Sequence, residues 1–298
     1  MNTPKQLLGP MRVAFLVLPP ACVLLAVGTA VWTHGKINFF YLALAFIGAL
    51  AAHISVNALN EYFDFKSGLD LKTLKTPFSG GSGTLPANPT MARPALNIGL
   101  ITLALTGLIG LYFLFARGWA LLPLGLLGMV VILTYTVWIT RYPLLCLIAP
   151  GLGFGPLMVM GTHFVLTGSY SWTAFFASLV PFFLVSNLLL LNQFPDAEAD
   201  RTVGRRHLPI VVGRKTSSVV YGAFLLLTYL SIVVGVLLGT LPTAGLLGLL
   251  PLVVAVPTLV GVFRHAENLE KLMPYMGLNV LLNILTPVLL AIGLLIAP

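Results

Sequence analysis

The sequence predicts an all-α, polytopic membrane protein, and three observations carry that expectation. Of 298 residues, 58% are hydrophobic and only 8% are charged, against about 25% charged in a soluble domain. The mean hydropathy is +1.00. The apolar residues gather into runs of the length, roughly 20 residues, that crosses a hydrocarbon core about 30 Å thick. An ordinary water-soluble enzyme is excluded on these grounds. A membrane barrel is excluded as well, because no stretch alternates apolar and polar residues at strand spacing.

Nine runs are expected to span: 11–33, 38–59, 95–116, 119–140, 143–167, 172–193, 217–239, 241–263 and 275–297. The first, "MRVAFLVLPPACVLLAVGTAVW", resembles a signal peptide in position only. It is long enough to cross and has no convincing cleavage site after it, so it is read as a retained helix. Several runs contain Pro and Gly, which membrane helices tolerate better than soluble ones. Cys22 and Cys146 lie inside apolar runs without metal-ligand spacing and are expected to pack. One domain, 1–298, is expected.

Orientation follows from the basic residues. With nine spans, 16 Lys and Arg distribute so that only Lys36 and Arg117 fall on the face opposite the N-terminus. By the positive-inside rule the N-terminal face is cytoplasmic. A multi-pass protein of the cell (inner) membrane is expected, with its longest loops in the cytoplasm. The net charge of +8 is thereby a topology signal and calls for no nucleic-acid partner. No protein partner is inferred either.

All eight acids fall on that same face. Six occupy two segments, 61–70 and 196–200, in the two longest loops, and only Glu267 and Glu270 lie elsewhere. His53, Asn57, Asn60, Glu61 and Asp64 recur at helical spacing, so a second helix prolonged through them would carry one polar stripe. Asp70 follows beyond Lys66-Ser67-Gly68, where the helix is expected to end. Asn192, Asp196 and Asp200 repeat every four residues on one face, across a kink expected at Pro195. Glu198 points elsewhere and reads as a solvated acid.

Loop acids often merely offset nearby lysines, and His53 alone reads as a packing histidine. Two similarly built motifs that hold most of the acids favour a site instead. Mg²⁺ takes one or two carboxylates plus substrate phosphates and keeps several waters. A diphosphate held by such metals, with Lys or Arg on its remaining oxygens, needs this set of residue types.

These residues resemble the UbiA-type intramembrane prenyltransferases. That family carries an Asn/Asp-rich motif after helix 2, here "NEYFDFKSGLD", and an Asp-x-x-x-Asp motif after helix 6, here "DAEAD". The similarity is greatest to the dihydroxynaphthoate (menaquinone-type) branch, through "FKSGLD", Tyr135-Thr136 and "FGPLMVMGT" at 154–162. Glu61 stands where the family commonly has Asp. The resemblance implies a central cavity open laterally to lipid and Mg²⁺-dependent transfer of an isoprenyl group. The donor would be a polyprenyl diphosphate, and the acceptor an aromatic ring in quinone biosynthesis.

It further implies Asn60, Asp64, Asp70, Asn192, Asp196 and Asp200 as metal ligands, with Asp64 and Asp196 essential to catalysis. Asn57, Glu61, Lys66, Lys72, Tyr135, Arg141, Arg205 and Lys215 would contact substrate, the cations among them neutralising the leaving group. Ser79-Gly80-Gly81-Ser82-Gly83 reads either as a lid or nest over phosphate or as a plain linker. Two other readings stay open. A non-quinone acceptor (a glycerophosphate lipid, a chlorophyll-type ring or haem) would keep the chemistry. A secondary transporter would place its acids nearer the midplane.

Overall fold

A computed structural model describes residues 4–73 and 75–297, in which helices are the only regular structure. The expected domain, 1–298, therefore includes residues 1–3, 74 and 298, which lie outside the described residues. The principal helices are α1 (Leu18–His34), α2 (Phe39–Lys66), α3 (Ala92–Arg117), α4 (Leu122–Thr134), α5 (Pro143–Leu152), α6 (Trp172–Arg201), α7 (Leu208–Leu237), α8 (Leu252–His265) and α9 (Leu269–Ile296). A π-helical stretch, Gly153–Met160, and a short helix, Gly161–Thr167, prolong α5.

Among the described residues, eight helices are long and apolar enough to cross a membrane. The ninth expected span, 119–140, forms a shorter apolar helix, Trp119–Thr134. Its tail departs from the helix for a physical reason. Residues 135–142 fold into turns that make a wall of the site, where the Thr136 hydroxyl accepts a hydrogen bond from Asn60 Nδ2 at 3.1 Å. The Thr140 carbonyl accepts the Arg206 amide at 2.9 Å.

Outward faces are apolar throughout, as lipid demands: Ile101, Phe115, Leu144, Leu226 and Val253 are all exposed. The interior is built on α6, the most enclosed of the spans. Leu184, Leu190, Leu191 and Phe194 on α6 pack with Leu25, Ile232, Leu282 and Leu290 from α1, α7 and α9.

Close packing of α5 on α6 rests on a small-residue pair one helical turn apart, Gly151 and Gly155. A Cβ at Gly151 would stand 2.0 Å from the Phe182 carbonyl oxygen, and one at Gly155 2.4 Å from that of Ser178. Only glycine lets the two backbones approach so far. Replacing Gly155 with Ala should destabilise the protein by about 1–3 kcal/mol through overpacking. A lowered detergent-solubilised Tm, with Gly110→Ala, whose Cβ meets nothing within 4 Å, as the neutral control, checks this.

Candidate active site

Both acidic motifs arrive at one end of the bundle. The second helix does continue through the polar stripe, to Lys66. Ser67 closes it, its amide bonding the Phe63 carbonyl at 2.9 Å, and Gly68 turns the chain at φ 74°. Asp70 sits in the following short turn, Leu69–Leu71, facing back to the stripe. On the other side, α6 runs through Pro195 to Arg201 without ending. Asn192, Asp196 and Asp200 therefore share its inward face.

One cation ties the two motifs. The chain turns at Gly204 (φ 80°) and returns Arg205 over the helix ends. Its guanidinium donates to Asp200 Oδ1 at 2.9 Å and also to Asp64 Oδ1. The second Asp200 oxygen meets His207 Nε2 at 2.7 Å. Burial works against the charge on Arg205, yet Asp64 and Asp200 outweigh it and raise its pKa above the ordinary value.

Glu61 is engaged by the protein itself. It is fully buried and accepts the Ser82 amide and hydroxyl, each at 2.7 Å, and Arg12 Nε at 2.9 Å. Arg12 Nη2 continues to Asn60 Oδ1 at 2.8 Å, and Asn57 Nδ2 donates to the Met11 carbonyl at 3.2 Å. Arg12 is the one non-glycine residue at positive φ, 50°, among the described residues. Glu61 thus fastens the Gly/Ser loop and the N-terminal segment to the site. The loop follows, covering the acids: Asp196 lies against Ser79 and the Gly80 amide, and Gly81 abuts Asp70 Oδ1 and Glu61 Oε1.

Beneath the loop lies a cavity of about 380 Å³. Asn60, Asp64, Asp70, Asn192, Asp196, Asp200, Tyr135 and Arg205 all line it, as do Asn57 and Arg12. Deeper in, the wall is apolar, with Gly48, Ile109, Phe113, Phe154, Leu157 and Val165. From Asn60 to Ala45, both on its wall, α2 rises about 22 Å, most of the thickness of a bilayer core.

The structure does not bring every expected residue to this wall. Lys66 and Arg141 face a smaller hollow behind Asp64 and Arg205. Lys72 is exposed and reaches Thr202 Oγ1 at 3.4 Å, and Lys215 is exposed on α7. Long cations at a membrane face are drawn outward to water, which sequence spacing does not register. Arg12, His207 and Thr136 went unassigned by sequence reasoning. In the sequence Arg12 reads as a topology charge, and its place beside an apolar run is the one available signal. Trp138 and Tyr142 are exposed and packed on each other at 4.8 Å between ring centroids.

Whether the oxygens fit a Mg²⁺ ion can be judged from their partners. Asp70 Oδ2, Asn192 Oδ1 and Asp196 Oδ1 are buried and have no hydrogen-bond partner. Three hard oxygen donors left unpaired on one cavity wall fit Mg²⁺ well. Among the described residues, no three His, Cys, Asp or Glu side chains converge enough to enclose a metal by themselves. Phosphate and water would have to complete the shell. Asp64 and Asp200 are held instead by Arg205, and Asn60 by Arg12 and Thr136.

The sequence pattern of the UbiA prenyltransferase family matches residues 20–281. A 1,4-dihydroxy-2-naphthoate octaprenyltransferase of Bacillus subtilis is 28% identical over 65% of this chain. The chain spans 61% of that relative's length. A digeranylgeranylglyceryl phosphate synthase of Pyrococcus horikoshii is 26% identical over 76% of this chain and 79% of its own. A solved UbiA homolog from Archaeoglobus fulgidus, bound to DMAPP and Mg²⁺, superposes with a TM-score of 0.65 at 14% identity. The superposition covers 97% of this chain and 99% of that one.

Removing Arg205 leaves Asp64 and Asp200 buried without their cation, so Arg205→Met should cost about 3–5 kcal/mol, read as a fall in Tm. Asp70 is raised to about 7 by burial, then by the charges of Glu61 and Asp64. A carboxyl raised in the fold favours its protonated form there. Its contribution is therefore whole below its unfolded value and lost as pH climbs toward 7. The Tm of the substrate-free protein should fall over that window, and Asp70→Asn should flatten the decline.

Proposed function

The chain belongs to the UbiA prenyltransferase family, and from that premise we propose that it transfers an isoprenyl group from a polyprenyl diphosphate to an aromatic acceptor. The observation that carries this reading is the cavity itself. It joins a mouth of unpaired carboxylate and amide oxygens to a long apolar bore. A charged headgroup and a greasy tail on one molecule match that division.

In this reading the diphosphate rests at the mouth, under the loop 79–83. Asp70, Asn192 and Asp196 would hold Mg²⁺, with phosphate oxygens and water completing its shell. When bound, the metal supplies positive charge against the leaving group. Arg205 adds a fixed guanidinium at the same place, oriented by Asp64 and Asp200. Charge built in before the reaction need not reorganise as the C1–O bond breaks and its electrons leave with the diphosphate. The prenyl chain lies in the apolar bore, where Phe154 and Tyr135 offer aromatic faces to an allylic cation. Glu61 keeps the loop and Arg12 closed over this space, excluding water that would quench the cation. The acceptor ring attacks C1 and loses a proton, or carbon dioxide where it bears a carboxylate at that carbon.

The naphthoate prenyltransferase of Bacillus subtilis supports a menaquinone-type acceptor. The Pyrococcus relative supports a glycerophosphate lipid as the second reading. The basic residues gathered on the N-terminal side support a cytoplasmic mouth in the cell membrane.

Labelled prenyl diphosphates offered with 1,4-dihydroxy-2-naphthoate or with a glycerophosphate lipid, with and without Mg²⁺, test the reading. Transfer to neither acceptor sinks it. Asp64→Asn and Asp196→Asn should each lose activity by on the order of a hundredfold or more, while the protein still inserts in the membrane. Full activity in Asp196→Asn would remove the metal assignment.

A further inference from the structure

His53 is an unexplained polar group in the apolar part of the cavity. It lies on α2, 7% exposed, on the cavity wall among Ala49, Ala52, Val56 and Leu157. Its Nδ1 is buried with no hydrogen-bond partner. The ring stands edge-on to Phe154, 5.0 Å between centroids. A histidine present only for packing would be expected to look like His163. There Nδ1 meets Thr29 Oγ1 at 2.9 Å and Nε2 meets Ser171 Oγ at 3.0 Å. An unpaired polar atom in a membrane interior costs several kcal/mol. That cost points to a partner carried in by a ligand.

Position and surroundings narrow the ligand. His53 precedes Asn60 by seven residues, so it lies about 10 Å further along α2 from the mouth. The cations on the cavity wall, Arg12 and Arg205, belong to the mouth. Arg12, the nearer of the two, is already committed to Glu61 and Asn60, so a phosphate at the depth of His53 would find apolar groups and no free cation. A flat ring with a neutral hydroxyl fits better: Phe154 offers it an aromatic neighbour, and imidazole is a good acceptor for O–H.

Resting on the prenyl-transfer reading, we propose that His53 contacts the acceptor, taking a hydrogen bond from a hydroxyl of an aromatic ring bound deeper than the diphosphate. This contact would serve catalysis as well as binding. As the ring gives electron density to C1, its hydroxyl becomes more acidic. The hydrogen bond to His53 then strengthens toward the transition state.

The experiment compares wild type, His53→Leu and His53→Gln, with 1,4-dihydroxy-2-naphthoate as acceptor. In His53→Leu, kcat/KM for the acceptor should fall on the order of tenfold, with the KM for prenyl diphosphate unchanged and the Tm of the substrate-free protein unchanged or raised, because the unpaired nitrogen is gone. His53→Gln, whose amide oxygen also accepts a hydrogen bond, should recover most of the loss. Unchanged acceptor kinetics in His53→Leu would overturn the assignment, as would parallel losses in donor KM and Tm. A wild-type enzyme that prenylates only a glycerophosphate lipid would overturn it while leaving prenyl transfer intact. Absence of any transfer by wild type would defeat the underlying reading, and would be seen before any variant is compared.

Discussion

The site depends on one cation held between two helices that are far apart in sequence. Arg205 binds Asp64 at the end of α2 and Asp200 at the end of α6, and His207 occupies the remaining Asp200 oxygen. Without it, two buried carboxylates would face each other in a medium that screens charge poorly. With it, the helix ends are drawn together and the cavity mouth acquires a fixed shape. Arg205 is free to turn back because Gly204 reverses the chain just after α6. The local backbone and the long-range ion pair therefore act as one device.

A second network closes the mouth from above. Glu61 takes the Ser82 amide and hydroxyl and the Arg12 guanidinium, so a single buried carboxylate gathers a loop and the N-terminal segment. The longer arm of glutamate suits this reach. The Gly/Ser stretch is not a plain linker. Its glycines at positive φ, Gly80, Gly81 and Gly83, wrap the chain closely over Asp70 and Glu61. The acids consequently divide: Glu61, Asp64 and Asp200 hold protein, while Asp70 and Asp196 keep an oxygen unpaired toward the cavity.

Much of this was legible in the chain. Hydropathy marked the membrane helices, because the bilayer imposes one length and one polarity on every span. The short Trp119–Thr134 helix was read as longer because the apolar pattern runs on through Val137 and Ile139. There the chain leaves the helix to meet α2 and Arg206 instead. Periodicity placed His53, Asn57, Asn60, Glu61 and Asp64 on one stripe, of which all but Glu61 line the cavity, and placed Asn192, Asp196 and Asp200 on one face despite Pro195. Charge alone misled in one respect. Lys66, Lys72, Arg141 and Lys215 sit close in sequence to the acids, yet a long side chain at an interface turns toward water.

The class of protein, the two acidic motifs and the helix ends that bear them are written in the order of residues. Those properties are local: they follow from hydrophobicity, from 3.6-residue spacing and from residue type. Tertiary structure decided which acid does what. Partner choice depends on residues brought together across 48 to 141 positions of chain, such as Arg12 with Asn60 and Arg205 with Asp64. No periodicity encodes such pairs. Only the packed bundle, with its low dielectric and its demand that buried polar atoms be satisfied, selects them.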